Sequence, residues 1–410
     1  MTAEAQGGYR EFQGGWKVIL ASFLGIGLGL SPLPFYTMGI FAPHLVKEFG
    51  WQKEEIQFGL AVTTLMVLWA GPLVGVLAKR LGVRRVAIAS VVLFSLSFMA
   101  LGLTTASLTQ FYITWALVGT FGAGTLPITW TRAVNGWFDA QRGLALGLAL
   151  MGTGLFGFAA QYFLPPIIES YGWRAGYVAV GLLPLLIALP VALLLFHDRD
   201  EASDGTPLRQ PGGLTTPETL KDWRFWLMGF GFMGISLALG GIPPNLPDIL
   251  TIGGFDMATA LKYTSLIGLS AIAGRVIGGW LVDRFWAPAV ALVILGAPAL
   301  ACWLLSHAAL DPTTTTASIL LIGFALGVEY DLMAYLLGRY FGLRSYTINY
   351  AVLYIFFSLG AGAGAPVFAR AARLQGGYES VLTYAAIALV IIAASFLLLG
   401  RYRTFEDDAT

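Results

Sequence analysis

The chain has 410 residues, 57% of them apolar and only 11% charged, where a soluble domain carries about a quarter charged residues, so a soluble globular protein is excluded. A formal net charge of +1 without a long basic run excludes nucleic acid as a main partner. Cys302 alone makes no internal disulfide, and His44, His197 and His307 show no ligand spacing, so no metal, thiol chemistry or cofactor is expected.

A membrane-spanning helix needs about 20 mostly apolar residues. Windows of that kind fall at 16–44, 55–79, 86–105, 109–136, 143–168 and 175–196, then at 223–250, 259–283, 288–308, 317–338, 346–369 and 380–400. The expected fold is therefore an all-α membrane protein of twelve transmembrane helices, arranged as a six-helix bundle over 1–197, a cytoplasmic linker at 198–222 and a second six-helix bundle over 223–410. The first apolar run is about twice the length of a signal-peptide core and lacks a cleavage site, so it is expected to remain as a span. Near the end of the linker, Thr216-Pro217-Glu218 has the pattern of a helix start, which predicts a short surface helix leading into the seventh span. Of the 24 Lys and Arg, seventeen fall on the side that holds both termini, six fall on the other, and Arg275 lies within the eighth span. Basic residues accumulate on the cytoplasmic side, so both termini are expected there, in a membrane of the bacterial inner type.

The two sets of six resemble each other, the usual construction of secondary transporters. The first span opens with Trp16-Lys17 and carries Pro32 and Pro34; the seventh opens with Trp223-Arg224 and carries Pro243 and Pro244. Both are expected to break in their outer halves. The loop after the second span reads Gly75-Val-Leu-Ala-Lys79-Arg80-Leu-Gly82-Val-Arg84-Arg85, and the loop after the eighth reads Gly279-Trp-Leu-Val-Asp283-Arg284.

At these residues the chain resembles the major facilitator superfamily, whose loop between its second and third helices has the pattern G-x-L-a-D-r-x-G-r-r. The resemblance implies a cytoplasmic latch built from Gly75, Lys79, Arg80, Arg142, Asp283, Arg284, Arg339 and Arg344. Lys79 stands where the family has an acid; the acid survives in the second copy as Asp283, with Arg142 as its expected partner. Within that superfamily the chain resembles the monocarboxylate porters and their oxalate/formate-type relatives. The residues that carry this are Gly15-Trp16, Asn135-Gly-Trp-Phe-Asp139-Ala-Gln-Arg142-Gly143, and Gly327-Val-Glu329-Tyr330-Asp331 through Arg339-Tyr340-Phe-Gly-Leu-Arg344. A drug exporter of this superfamily would carry an Arg where Trp115 stands and a proline within Gly152–Gly157, which has none.

Charged groups at membrane depth are costly and by default functional, and Arg275, Glu329 and Asp331 are the three well inside expected spans. At 1.5 Å per residue they lie about 24, 18 and 21 Å from the outer ends of their helices, at or somewhat below mid-depth. The resemblance makes Arg275 the group that binds a substrate carboxylate, for which a permanently charged, forked guanidinium is suited. The other reading is that Arg275 only ties its helix to the acids. Glu329 and Asp331 are two apart and point about 200° from each other, so one can neutralise Arg275 and leave the other to carry a proton. Glu329 is the favoured carrier; the alternative for Asp331 is a latch to Arg339 or Arg344.

The family's acid one turn before the arginine is replaced by Ala271, its outer lysine in the first span by the Pro34-Phe35 region, and the eleventh span has no lysine. A single buried base suggests a single carboxylate. Further candidates for the substrate site are Tyr36, Trp115, Gln161, Asn245, Tyr330, Tyr335, Asn349, Tyr354 and Ser358. No nucleophile elbow, histidine pair or phosphate loop is present, so an enzyme is not expected. The expected function is a monomeric secondary transporter that moves a small organic monocarboxylate together with protons across the lipid bilayer. Anion exchange or uniport of the same substrates stays open, with drug export a weaker alternative.

Overall fold

A computed structural model describes residues 3–197, 212–307 and 311–405. Residues 198–211 of the expected linker lie outside the described residues, as does the side chain of Gln161. Among the described residues the structure is helical, with one isolated backbone bridge, between Gly213 and Gly342. Eleven helical stretches among the described residues are long and apolar enough to cross a membrane. The remaining expected span is the first, which is built in two pieces, α1 (Ala3–Gly27) and α2 (Leu33–Phe49).

The helices gather into two compact units. One contains the described residues up to Leu214, with Gly342–Val352. Its helices after α2 are α3 (Lys53–Leu81), α4 (Val83–Ala100), α5 (Leu108–Gly122), α6 (Pro127–Trp137), α7 (Arg142–Leu150), α8 (Gly152–Leu183) and α9 (Leu189–Leu195). The second contains Thr215–Phe341 and Leu353–Thr404. It holds α10 (Thr216–Lys221), α11 (Trp223–Ile252), α12 (Met257–Arg284), α13 (Ala287–His307), α14 (Pro312–Phe341) and α16 (Glu379–Ser395). Helix α15 (Tyr346–Gln375) gives its first two turns to the first unit and the rest to the second.

Prolines explain most of the interruptions. Pro34 sits in the first turn of α2, where its missing N–H costs nothing, and the break falls at Leu28–Pro32. The fourth span, expected to run unbroken, is interrupted as well: a 3-10 turn at Ala123–Thr125 separates α5 from α6. Pro127 opens α6 and forces Leu126 into an extended conformation, with φ −64° and ψ 161°. The two breaks meet, since Leu30 N–H donates to Thr125 Oγ1 at 2.9 Å. Helix α8 carries the fifth span into the sixth through a reversal at Gly172, whose φ of +83° suits a residue without Cβ.

The break expected in the seventh span is absent. Helix α11 runs unbroken from Trp223 to Ile252 through Pro243, Pro244 and Pro247. Gly240 and Gly241 face α15, where a Cβ would meet Ala361 and Phe368. The short helix before α11 forms as expected, one residue out of register. Thr215 is its cap, and Glu218 Oε2 accepts from Thr215 N at 2.8 Å.

Candidate functional site

The second unit brings all three buried charges together where α12 and α14 cross. That crossing is made by small residues four apart on each helix, Gly274 and Gly278 on α12 and Gly323 and Gly327 on α14. A Cβ on Gly327 would lie 2.0 Å from Ala271 O, and one on Gly274 would lie 2.3 Å from Phe324 O. The two backbones therefore touch, as small-residue stripes allow in membranes. Arg275 follows Gly274, and Glu329 and Asp331 follow Gly327, so all three leave the helices beside this contact.

Arg275 Nη1 donates to Asp331 Oδ1 at 2.8 Å, with side-chain exposures of 8% and 2%. Asp331 Oδ2 and Glu329 Oε1 are buried and accept no hydrogen bond. Asp331 thus turns to Arg275 and not to Arg339 or Arg344, and the helical spacing leaves Glu329 as the carboxyl that Arg275 does not bond. An aromatic wall adjoins the pair. The Arg275 guanidinium carbon lies 5.9 Å from the centre of the Tyr330 ring, which packs 4.3 Å from Phe357 and 6.1 Å from Tyr354. Tyr354 hydrogen-bonds with Tyr330 and Ser358. The expected residues Arg275, Glu329, Tyr330, Asp331, Tyr354 and Ser358 therefore gather into one polar and aromatic cluster. Phe357 joins them, a residue that sequence reasoning missed. It lies three residues after Tyr354, one helical turn on, and that spacing was the available signal.

The other candidates lie elsewhere. The Asn245 amide donates to Gly241 O at 2.8 Å and to Ala365 O at 3.3 Å and accepts from the Tyr378 hydroxyl at 3.0 Å, so its capacity is spent within the protein. Tyr335 lies in the C-terminal part of α14, with the Arg339 guanidinium 5.8 Å from its ring. Arg339 also lies 5.0 Å from the Tyr402 ring. In the first unit Trp115 is buried, edge-on to Phe98 and Phe111, while Tyr36 is 38% exposed. Asn349 is buried in the second turn of α15.

Of the expected latch residues, Gly75 packs against the α15 backbone, where a Cβ would meet Ile348 Cα at 2.9 Å. Lys79, Arg80 and Arg344 are exposed. Arg142 is buried and bonds Phe138 O and Asp139 at 3.1 and 3.2 Å. Asp283 is half-buried, and Arg284 lies 4.1 Å over the Trp280 ring.

Residues 24–365 match the model of the Major Facilitator Superfamily. An uncharacterized 38 kDa protein in 23S RNA operon of Thermoproteus tenax is 30% identical over 379 residues, covering 91% of this chain and 93% of its own length. Monocarboxylate transporter 13 of Rattus norvegicus is 25% identical over 392 residues, covering 94% of this chain and 87% of its own length. Among solved structures, the Major Facilitator Superfamily transporter FucP in its outward conformation superposes with a TM-score of 0.75 at 14% identity, over 94% of this chain and 98% of FucP.

Proposed function

Because the chain belongs to the Major Facilitator Superfamily and is a multi-pass membrane transporter, we propose that it carries a small organic monocarboxylate with a proton. Arg275 is the anchor. The observation that carries this reading is the buried Arg275–Asp331 pair beside a second acid, Glu329, with an unpartnered oxygen. In a low-dielectric interior a guanidinium keeps its charge and needs an anion next to it. Asp331 is the resident anion, and a substrate carboxylate reaches Arg275 by taking its place. The displaced negative charge is too costly to leave ionised and unpaired, so the acid pair takes up a proton. Substrate and proton then each favour binding of the other, which is the thermodynamic content of symport. Glu329 is the carrier that receives the proton, and Asp331 is the counter-ion that yields Arg275.

Tyr330, Tyr354 and Phe357 offer the apolar remainder of the substrate an aromatic face next to the charged anchor. The 25% identity to monocarboxylate transporter 13 supports the substrate class. The excess of Lys and Arg on one side supports cytoplasmic termini in a bacterial-type inner membrane, and nothing in this mechanism requires more than a monomer.

The test is uptake of radiolabelled lactate, pyruvate and benzoate into proteoliposomes. Accumulation should follow an imposed pH gradient in the absence of any internal anion. Accumulation that instead requires an internal counter-anion and ignores the pH gradient would establish exchange, with Asp331 displaced by carboxylates in turn and no proton taken up.

A further inference from the structure

The start of α11 gathers more positive charge than its acids neutralise. Asp222, the residue before the helix, is 8% exposed at its side chain and engaged at both oxygens: Oδ1 accepts from Arg224 N at 2.9 Å, and Oδ2 pairs with the Arg403 guanidinium. Glu218 Oε2 accepts from Thr215 N and Oγ1 at 2.8 and 2.7 Å, so it caps α10. Lys221 and Arg224 make no ion pair among the described residues. The Arg224 guanidinium instead lies 5.9 Å from the Trp223 ring and 5.9 Å from the Tyr340 ring, and its Nε is buried without an acceptor. A guanidinium keeps its charge, and a buried donor without an acceptor is costly. The arrangement calls for an anion.

There is room for one. Glu218, Lys221, Asp222, Trp223, Arg224 and Arg403 line an open recess of about 420 Å³. Hydrogen bonds brace its walls. Trp226 Nε1 donates to Leu220 O at 2.8 Å and ties α10 to α11. The Tyr340 hydroxyl of α14 donates to Gly400 O at 2.6 Å, and the Tyr402 hydroxyl accepts from Ala287 N at 2.8 Å, which fixes the segment that carries Arg403. All of these residues belong to the second unit.

The apolar side of the recess identifies the anion. A membrane-spanning stretch begins at Trp223, so its first turns lie at the level of the lipid headgroups, where Trp concentrates. Trp223, Trp226 and Phe230 are spaced three and four apart on one face of α11, and all are exposed. The rings of Trp226 and Phe230 stack with centres 6.2 Å apart. A free phosphate gains nothing from an apolar strip that leads away from its binding groups, whereas an amphipathic anion does. We propose that this recess binds the phosphate of an anionic phospholipid, with Arg224 as its main ligand, Lys221 beside it and the acyl chains along Trp226 and Phe230. Because Arg224 also leans on Tyr340, the bound lipid links the start of α11 to the end of α14.

The test is titration of the full-length protein, purified in an uncharged detergent, with phosphatidylglycerol, read as bound lipid by native mass spectrometry. The parent should prefer phosphatidylglycerol about tenfold over phosphatidylcholine, which has the same phosphate without net charge. Arg224→Gln should weaken phosphatidylglycerol binding about tenfold, the loss expected of a hydrogen-bonding charged partner. Lys221→Gln alters an exposed side chain and should weaken it about fivefold, so the outcome does not depend on Arg224→Gln folding. Arg284→Gln, which removes an exposed base at the end of α12, should bind as the parent does, and millimolar inorganic phosphate should not displace the lipid. Unchanged binding in Lys221→Gln, or equal affinity for the two lipids, would overturn the proposal. So would an Arg284→Gln loss as large as that of Lys221→Gln, the mark of diffuse surface charge, or displacement by inorganic phosphate, the mark of a free-anion site.

Discussion

Helices α12 and α14 of the second unit and helices α3 and α5 of the first cross at the same register but carry different chemistry. A Cβ on Gly323 would lie 2.6 Å from Ile267 O, and one on Gly119 would lie 2.7 Å from Thr63 O. Both members of the two pairs are 204 residues apart. At that offset Arg275 corresponds to Gly71, Glu329 to Thr125 and Asp331 to Pro127. The first unit therefore makes the same close crossing with no charge in it, and its helix breaks at Pro127 where α14 runs straight through Asp331. The lesson is that the fold does not need the three charges. They occupy a costly position for another reason, and transport chemistry supplies one.

The largest effect should come from erasing the difference in the wrong direction. Gly71→Arg puts a guanidinium in the first unit at the position that corresponds to Arg275, but here the neighbours are Ile128 and Ala351. An unpaired charge in that slot should destabilise by about 3 kcal/mol, measured as loss of folded protein after detergent extraction; a variant as stable as the parent would show that the slot is wet in both units.

Next is Asp331→Asn, which removes the resident counter-ion. In the parent, carboxylate binding should strengthen as pH falls, because a proton on Glu329 lets Asp331 yield Arg275 to the substrate. The variant should bind benzoate about tenfold more tightly at neutral pH, with little pH dependence, and should fail to accumulate it. Calorimetric titration across pH 5 to 8 reads both.

Glu329→Gln mimics the protonated acid and should change affinity less than about twofold while abolishing accumulation driven by a pH gradient. Counterflow of labelled substrate should persist. Gradient-driven accumulation that survives in this variant removes Glu329 from the coupling step.

The smallest effect lies elsewhere, at the C-terminal end of α2. There the Trp173 indole N–H and the Arg174 guanidinium, 2.6 Å away, hold the Glu48 carboxyl below the usual carboxylate range. A carboxyl with a lowered value stabilises the fold above its unfolded-state titration and loses that contribution as pH falls through its folded one. Half exposed to solvent, the pair should contribute within about 1 kcal/mol. Melting temperatures of Glu48→Gln and the parent should differ slightly at pH 7 and converge toward pH 3.

Much of this was legible in the sequence, for identifiable reasons. Apolar run length marked the spans, the Gly75 and Gly279 loops marked the repeat, and scarcity of charge at depth singled out Arg275, Glu329 and Asp331. Proline was an uncertain guide. It announced the break before α2, but α11 runs unbroken through Pro243, Pro244 and Pro247, and at Pro127 the apolar window over 109–136 ran across a real break. Helical spacing showed that one acid and not both would pair with Arg275. Which one depends on how α12 and α14 meet, and that contact depends on Gly274 and Gly327 lying against the opposite backbone.

The most direct measurement is carboxylate binding to Arg275→Ala and Arg275→Lys, followed by thermal stabilisation with lactate, pyruvate and benzoate on the purified proteins. Loss of a buried charged anchor should weaken binding about 100-fold in Arg275→Ala, with Arg275→Lys intermediate because it keeps the charge and loses the fork, while both variants remain folded. A folded Arg275→Ala protein that binds these carboxylates as tightly as the parent would contradict the assignment of Arg275 as the substrate anchor.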